Sequence, residues 1–172
     1  PLNAPDAPHV LLAHGFLDNQ NSMTGFANHY ASWGIKVVTM DLLHSSLISN
    51  DPFQDAEDLI GLSNQIGAES AVIYVGYSAG GMRSIIAAAE DSSVLAVLGL
   101  DLVDASYSDD FLALENVSNI SVPVWGLLGE SSPCNSYGNG LDVYNNAENG
   151  NAVRITEADH CDFESPADVL CT

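Results

Sequence analysis

The sequence predicts a three-layer α/β sandwich, with a mostly parallel sheet of about six strands between two layers of helices. Three observations predict it. Apolar, β-branched runs of strand length recur along the chain, segments of helical period separate them, and residues that start or stop helices punctuate those segments. Strict strand-helix alternation implies parallel neighbours and right-handed crossovers, because parallel strands need a long connection. The 172 residues suit a single domain, residues 1–172, with a sizeable core.

The first strand is read at His9 to His14. Met23, Phe26, Tyr30 and Trp33 then recur at helical spacing, and Gly34 marks where that helix stops. The second strand is Lys36 to Met40. Asp51 followed by Pro52 reads as an N-cap with Pro at the first helical position, opening a helix through Phe53, Ala56, Ile60 and Ile66 that ends near Gly67. Ala71 to Gly76 is the third strand, and Met82, Ile85, Ile86 and Ala89 form the apolar face of the helix after it. Val94 to Leu100, Val122 to Leu128 and Ala152 to Glu157 complete the strands.

Charge narrows the partners. Asp and Glu number 23 against 3 Lys and Arg (Lys36, Arg83 and Arg154), a formal charge of -20. Such a field repels phosphate backbones and anionic bilayers, so no nucleic-acid partner is expected. No apolar run approaches the roughly 20 residues of a membrane span. A small-molecule or polymeric substrate and a monomer are expected. Cys134, Cys161 and Cys171 lie late in the chain and allow one disulfide by three pairings, or three reduced thiols. A disulfide favours an oxidising compartment, and a secreted or periplasmic location is the expectation. The chain opens at Pro1 with no basic and apolar leader, which reads as a processed product. No Cys or His spacing suggests zinc, and neither a metal nor an organic cofactor is expected.

In an open parallel sheet, chemistry gathers beyond the carboxyl ends of the strands. The third strand runs there into Gly76-Tyr77-Ser78-Ala79-Gly80-Gly81, a G-x-S-x-G pattern between a strand and a helix. A tight turn at that place lifts the Ser78 hydroxyl into the cleft. A hydroxyl needs a base, and of His9, His14, His29, His44 and His160 only His160 follows the last strand, matching the order expected for this turn. The base needs a carboxylate. Asp101 is favoured at the end of the fourth strand, with Asp104 and Glu130 as alternatives. The backbone N–H of Ala79, after the nucleophile, and that of Phe16, in the His14-Gly15-Phe16-Leu17 loop, are the expected oxyanion donors. Leu17, Tyr77, Tyr107, Phe111 and Phe163 fall near strand ends and are the candidate substrate-binding side chains.

With those residues placed, the chain resembles the α/β-hydrolase superfamily over nearly all of its length. Leu11-Leu-Ala-His-Gly-Phe16, His29-Tyr-Ala-Ser-Trp-Gly34 and Leu98-Gly-Leu-Asp-Leu-Val-Asp104 are similar to segments of the chlorophyllase branch. The last resembles an I-D-P-V-D segment whose first Asp is the triad acid, which by that resemblance is Asp101. The nucleophile segment departs from that branch's G-H-S-R-G-G and is closer to general esterases and polyester hydrolases, while the minimal, lidless chain resembles small cutinases and lipases. The resemblance implies a minimal, lidless fold and a serine carboxylesterase acting on small or exposed, neutral esters, polymeric ones included. The competing readings are a binding protein that kept the fold without activity, and a thioesterase or lipase using the same triad.

Overall fold

The computed structural model describes residues 7–68, 71–105 and 110–167. Six strands form one sheet: β1 (His9–Ala13), β2 (Lys36–Met40), β3 (Val72–Tyr77), β4 (Val94–Leu100), β5 (Val124–Leu128) and β6 (Gly150–Arg154). Their order is β2-β1-β3-β4-β5-β6, and every neighbouring pair is parallel. Among the described residues five α-helices accompany them: α1 (Thr24–Ser32), α2 (Pro52–Gln65), α3 (Ala79–Glu90), α4 (Leu112–Asn116) and α5 (Gly140–Asn146). The predicted α/β sandwich is the observed one, with the second and fourth strands at their predicted bounds. The fifth strand starts two residues later than read, after Pro123, which lacks the N–H a ladder needs. The sixth starts two residues earlier and ends at Arg154, since it is a largely exposed edge strand with little apolar pattern to mark it.

Strand alternation divides the core. Leu11, Ala13, Tyr74 and Val97 face one layer, with Leu59 of α2, Met82, Ile85 and Ile86 of α3 and Tyr144 of α5. Val10, Leu12, Val75, Tyr77 and Leu100 face the other, with Met23, Phe163 and the half-buried Phe26 and Tyr30 of α1. Trp33, read as part of the α1 face, is instead its exposed C-cap. The caps follow the sequence reading: Asp51 accepts the Gln54 N–H at 3.1 Å with Pro52 at the first turn, and Gly34 and Gly67 take positive φ of 85° and 72°.

One buried ion pair ties α2 to α3. Arg83 Nε donates to Asp55 at 2.6 Å, with both side chains fully buried. The other Asp55 oxygen accepts the His44 N–H at 2.9 Å. Arg83 Nη2 donates to the His44 carbonyl at 3.2 Å and to Asn50 Oδ1 at 2.9 Å. The pair thus anchors the β2–α2 loop against the helix that starts at the site.

The sheet winds one way from β1 to β2 and the other way from β3 onward. The crevice opens between β1 and β3, where the loops leaving adjacent strands diverge.

Candidate active site

Ser78 stands at that divergence, between β3 and α3, with φ 52° and ψ -124°. A non-glycine residue there costs on the order of 1–3 kcal/mol, which the surroundings must offset. They do so with backbone bonds: the Ser78 N–H donates to Leu100 O at 3.0 Å, and its carbonyl accepts from Gly81 at 3.0 Å and Val103 at 3.1 Å. The flanking glycines are sterically required. A Cβ at Gly76 would overlap the Gly80 backbone, and one at Gly80 would overlap the carbonyls of Ala13 and His14.

His160 opens the 3₁₀ turn His160–Phe163 beyond β6. Asp159 caps this turn by accepting the Cys161 N–H at 2.8 Å, and the Asp162 side chain accepts the Asp159 N–H at 2.8 Å. The turn is fastened to the β5 end by Glu130 N–H donating to Ala158 O at 2.7 Å. The imidazole lies against the Tyr77 ring, with centroids 4.9 Å apart. Its Nε2 is 3.0 Å from Ser78 Oγ and its Nδ1 is 2.6 Å from Asp101 Oδ2. An ionised Asp101 accepts a hydrogen bond from Nδ1–H, which keeps the proton on Nδ1 and leaves the Nε2 lone pair facing the hydroxyl.

Asp101, at φ 44° just past β4, is buried and receives three donors. Besides His160 these are Gly129 N–H on Oδ1 at 2.8 Å and Asn135 Nδ2 on Oδ2 at 3.0 Å. Burial, the largest influence, pushes the carboxyl up. The hydrogen bonds from His160, Gly129 and Asn135 together outweigh it and hold Asp101 below the ordinary aspartate value.

The two rival acids are elsewhere. Asp104 accepts the Ala113 and Leu114 N–H groups, each at 2.8 Å, capping α4, and burial raises its carboxyl. Glu130 is exposed and accepts the Glu157 N–H at 3.4 Å.

The remaining histidines do not reach Ser78. His14 Nε2 accepts the Leu42 N–H at 2.8 Å, so Nδ1 carries the proton and donates to Gly15 O at 2.8 Å. Burial, its largest influence, lowers the His14 pKa and keeps it neutral. It fastens the loop after β1 to the chain just past β2. His44 bonds Ser49 Oγ at 2.8 Å, His29 lies on α1 against Tyr30 and Trp33, and His9 begins β1 at the opposite sheet edge.

A cavity of about 290 Å³ opens beside Ser78. Phe16, Ala79, Val103 and Ala105 form apolar walls, with Cys134 at one side and Asn50 and Arg83 at another. The predicted oxyanion residues Phe16 and Ala79 therefore share a wall with the hydroxyl. Ala79 is in the first turn of α3, whose leading N–H groups have no partner within the helix.

None of the described residues expected to bind substrate lines this cavity. Tyr77 and Phe163 are buried in the α1-side core, because β3 alternation turns Tyr77 beneath His160 and away from the cavity. Leu17 and Phe111 are 43% and 50% exposed and do not line it. Tyr107 lies outside the described residues, as does Cys171. Cys161 is in a disulfide and Cys134 is free and exposed. Sequence reading missed Asn50, Arg83 and Cys134 as cavity residues, and Asn135 as an Asp101 partner. Arg83 left a trace as one of 3 basic residues in the chain, itself inside a helical segment, and Cys134 as a late cysteine. Among the described residues no three His, Cys, Asp or Glu side chains gather as a metal site, and no helix is long and apolar enough to cross a membrane.

No protein-family model and no curated protein matches this sequence. Solved structures do resemble it. The α/β hydrolase GrgF from Penicillium sp. sh18 is 14% identical, with 91% of this chain and 83% of that one covered and a TM-score of 0.77. Est1E from Butyrivibrio proteoclasticus with ferulic acid bound is 14% identical over 92% and 83% of the two chains, with a TM-score of 0.75. A structure from LipS and LipT, two metagenome-derived lipolytic enzymes, is 14% identical over 88% and 83%, with a TM-score of 0.69. The fold is that of the α/β hydrolases.

Proposed function

We propose that the protein is a serine carboxylic-ester hydrolase that works through an acyl-enzyme. One observation carries the reading: an unbroken hydrogen-bond line from Ser78 Oγ through His160 to Asp101 at the crevice where ligands of such sheets bind. Ser78 Oγ attacks the ester carbonyl carbon as His160 Nε2 takes its proton. The tetrahedral oxyanion lies against the N–H groups of Phe16 and Ala79. Collapse returns the proton from Nε2 to the departing alcohol and leaves the acyl group on Ser78. Water then attacks by the same route, giving the carboxylic acid and free Ser78.

Asp101 holds the imidazole in the required tautomer and stabilises its charged form without taking the proton. The apolar walls and the acidic surface favour neutral esters, small ones or ester groups exposed on a polymer. The hydrolase neighbours, one of them holding ferulic acid and one described as lipolytic, support ester chemistry on this fold.

The test is fluorophosphonate labelling together with a panel of p-nitrophenyl esters and a polyester film. Wild type should label at Ser78, and Ser78→Ala should keep its fold, lose labelling and lower kcat roughly 10⁴-fold or more. Folded wild type that neither labels nor cleaves any ester would instead favour a binding protein.

A further inference from the structure

Asn135 lies in the 3₁₀ turn Pro133–Gly138 and its side chain is fully buried. Its Nδ2 donates one proton to Asp101 Oδ2 at 3.0 Å and the other to the Glu130 carbonyl at 2.8 Å, while Oδ1 accepts the Ser132 N–H at 2.9 Å. The amide cannot be reversed. Turned over, Oδ1 would face a carboxylate and a carbonyl, and the NH₂ would face an N–H donor. Its direction is therefore set by the partners, and every polar atom is engaged.

Asp101 Oδ2 thus receives two donors at once, Asn135 and His160 Nδ1. The chain after Asn135 is bent sharply to put it there: Ser136, Tyr137 and Gly138 have φ of 49°, 58° and 78° in succession. Non-glycine residues adopt that region at a cost, so the turn is held by what its bonds secure.

We propose that Asn135 is a positioning residue for His160, fixing the Asp101 carboxylate in the rotation that presents Oδ2 to Nδ1 and sharing that oxygen's charge. The inference rests on the ester-cleaving reading of Ser78. Two effects follow from the sharing. Without the Asn135 donor the carboxylate turns more freely, and His160 is presented in fewer productive orientations. The charge left on Oδ2 also stabilises the protonated imidazole, so the base takes up a proton from solvent at higher pH.

The experiment compares wild type with Asn135→Ala, Asn135→Ser and Asn135→Asp. It measures kcat and KM for p-nitrophenyl acetate across pH, with fluorophosphonate labelling and thermal unfolding alongside. Asn135→Ala should lower kcat roughly tenfold to a hundredfold with little change in KM, the effect of one hydrogen bond to a charged group. The acid limb of kcat/KM should move to higher pH in Asn135→Ala. It should move further in the near-isosteric Asn135→Asp, where a second carboxylate faces the first. Asn135→Ser keeps a donor and should fall between wild type and Asn135→Ala.

The surrounding ionisable groups are unchanged in all three variants. They are Tyr77 on β3, Asp104 after β4, Glu130 after β5, Tyr144 on α5, Arg154 at the end of β6, and Asp159, Asp162 and Glu164 around the His160 turn. A purely structural role would reduce the folded fraction without moving the limb. Folded variants with the wild-type limb, or with kcat within about twofold of wild type, overturn the proposal. Unfolding of all three also overturns it, by making Asn135 a folding determinant alone. Failure of wild type to label sinks the Ser78 reading itself and takes this inference with it.

Discussion

Replacing Asp55 by Asn changes one atom in the interior and should cost more stability than most truncations. In the native protein one Asp55 oxygen meets Arg83 Nε at 2.6 Å and the other accepts the His44 N–H at 2.9 Å, with no solvent at either side chain. An amide keeps one acceptor only. If it serves His44, an NH₂ group faces the guanidinium donor, and if it serves Arg83, the His44 N–H meets a donor. Arg83 keeps its charge and loses the carboxylate in contact with it.

Breaking a buried pair in this way costs about 3–5 kcal/mol, which for a chain of this size lowers Tm by about 6–20 °C. Thermal and urea unfolding of wild type, Asp55→Asn and Asp55→Leu/Arg83→Met would measure it. The double variant removes the charge and should recover part of the loss. It should not recover all of it, because the His44 carbonyl and Asn50 Oδ1 still lose their Arg83 donor. A Tm for Asp55→Asn within about 2 °C of wild type would refute the reasoning.

Three other predictions concern two glycines and pH. Gly80→Ala, forced against the Ala13 and His14 carbonyls, should destabilise by about 3 kcal/mol and abolish ester hydrolysis. Gly61→Ala, inside α2 with nothing within 4 Å, should stabilise by about 0.5–1 kcal/mol by calorimetry. The lowered His14 pKa means that, below the ordinary value near 6.5, the unfolded chain binds a proton that the folded chain refuses. Its contribution to stability is therefore present above that value and is lost as pH falls toward the folded pKa. Tm should fall over that interval, and His14→Gln should flatten the slope. An unchanged slope in a folded variant would show that His14 is not its source.

The sheet was legible where strands announce themselves by local chemistry, and the exposed β6, which does so least, was read two residues out of place. β4 is an apolar run, β2 is rich in β-branched residues (Val37, Val38 and Thr39), and α2 carries a cap, a proline and a period that agree. α4 and α5 escaped notice because five and seven residues are too few to establish a period, and α5 opens on Gly140. The residues singled out at strand ends, Ser78, Asp101 and His160, are the ones found within hydrogen-bond distance, since sheet order alone brings those ends together. The cavity walls were not legible in the same way. Asn50 and Cys134 come from loops whose paths no period encodes, and Tyr77 and Phe163 attracted attention as aromatics although strand parity and packing send them into the core.

Ser78 grows from a strand flanked on both sides, whereas His160 is delivered by the segment that follows β6, the outermost strand on its side. On the proposed reading the nucleophile therefore belongs to the part of the molecule that opens last, and the base hangs from a part with fewer neighbours to hold it. Gentle warming would part the two while the sheet stays whole, so hydrolysis would fade at a temperature where the far-ultraviolet signal is still that of the native protein.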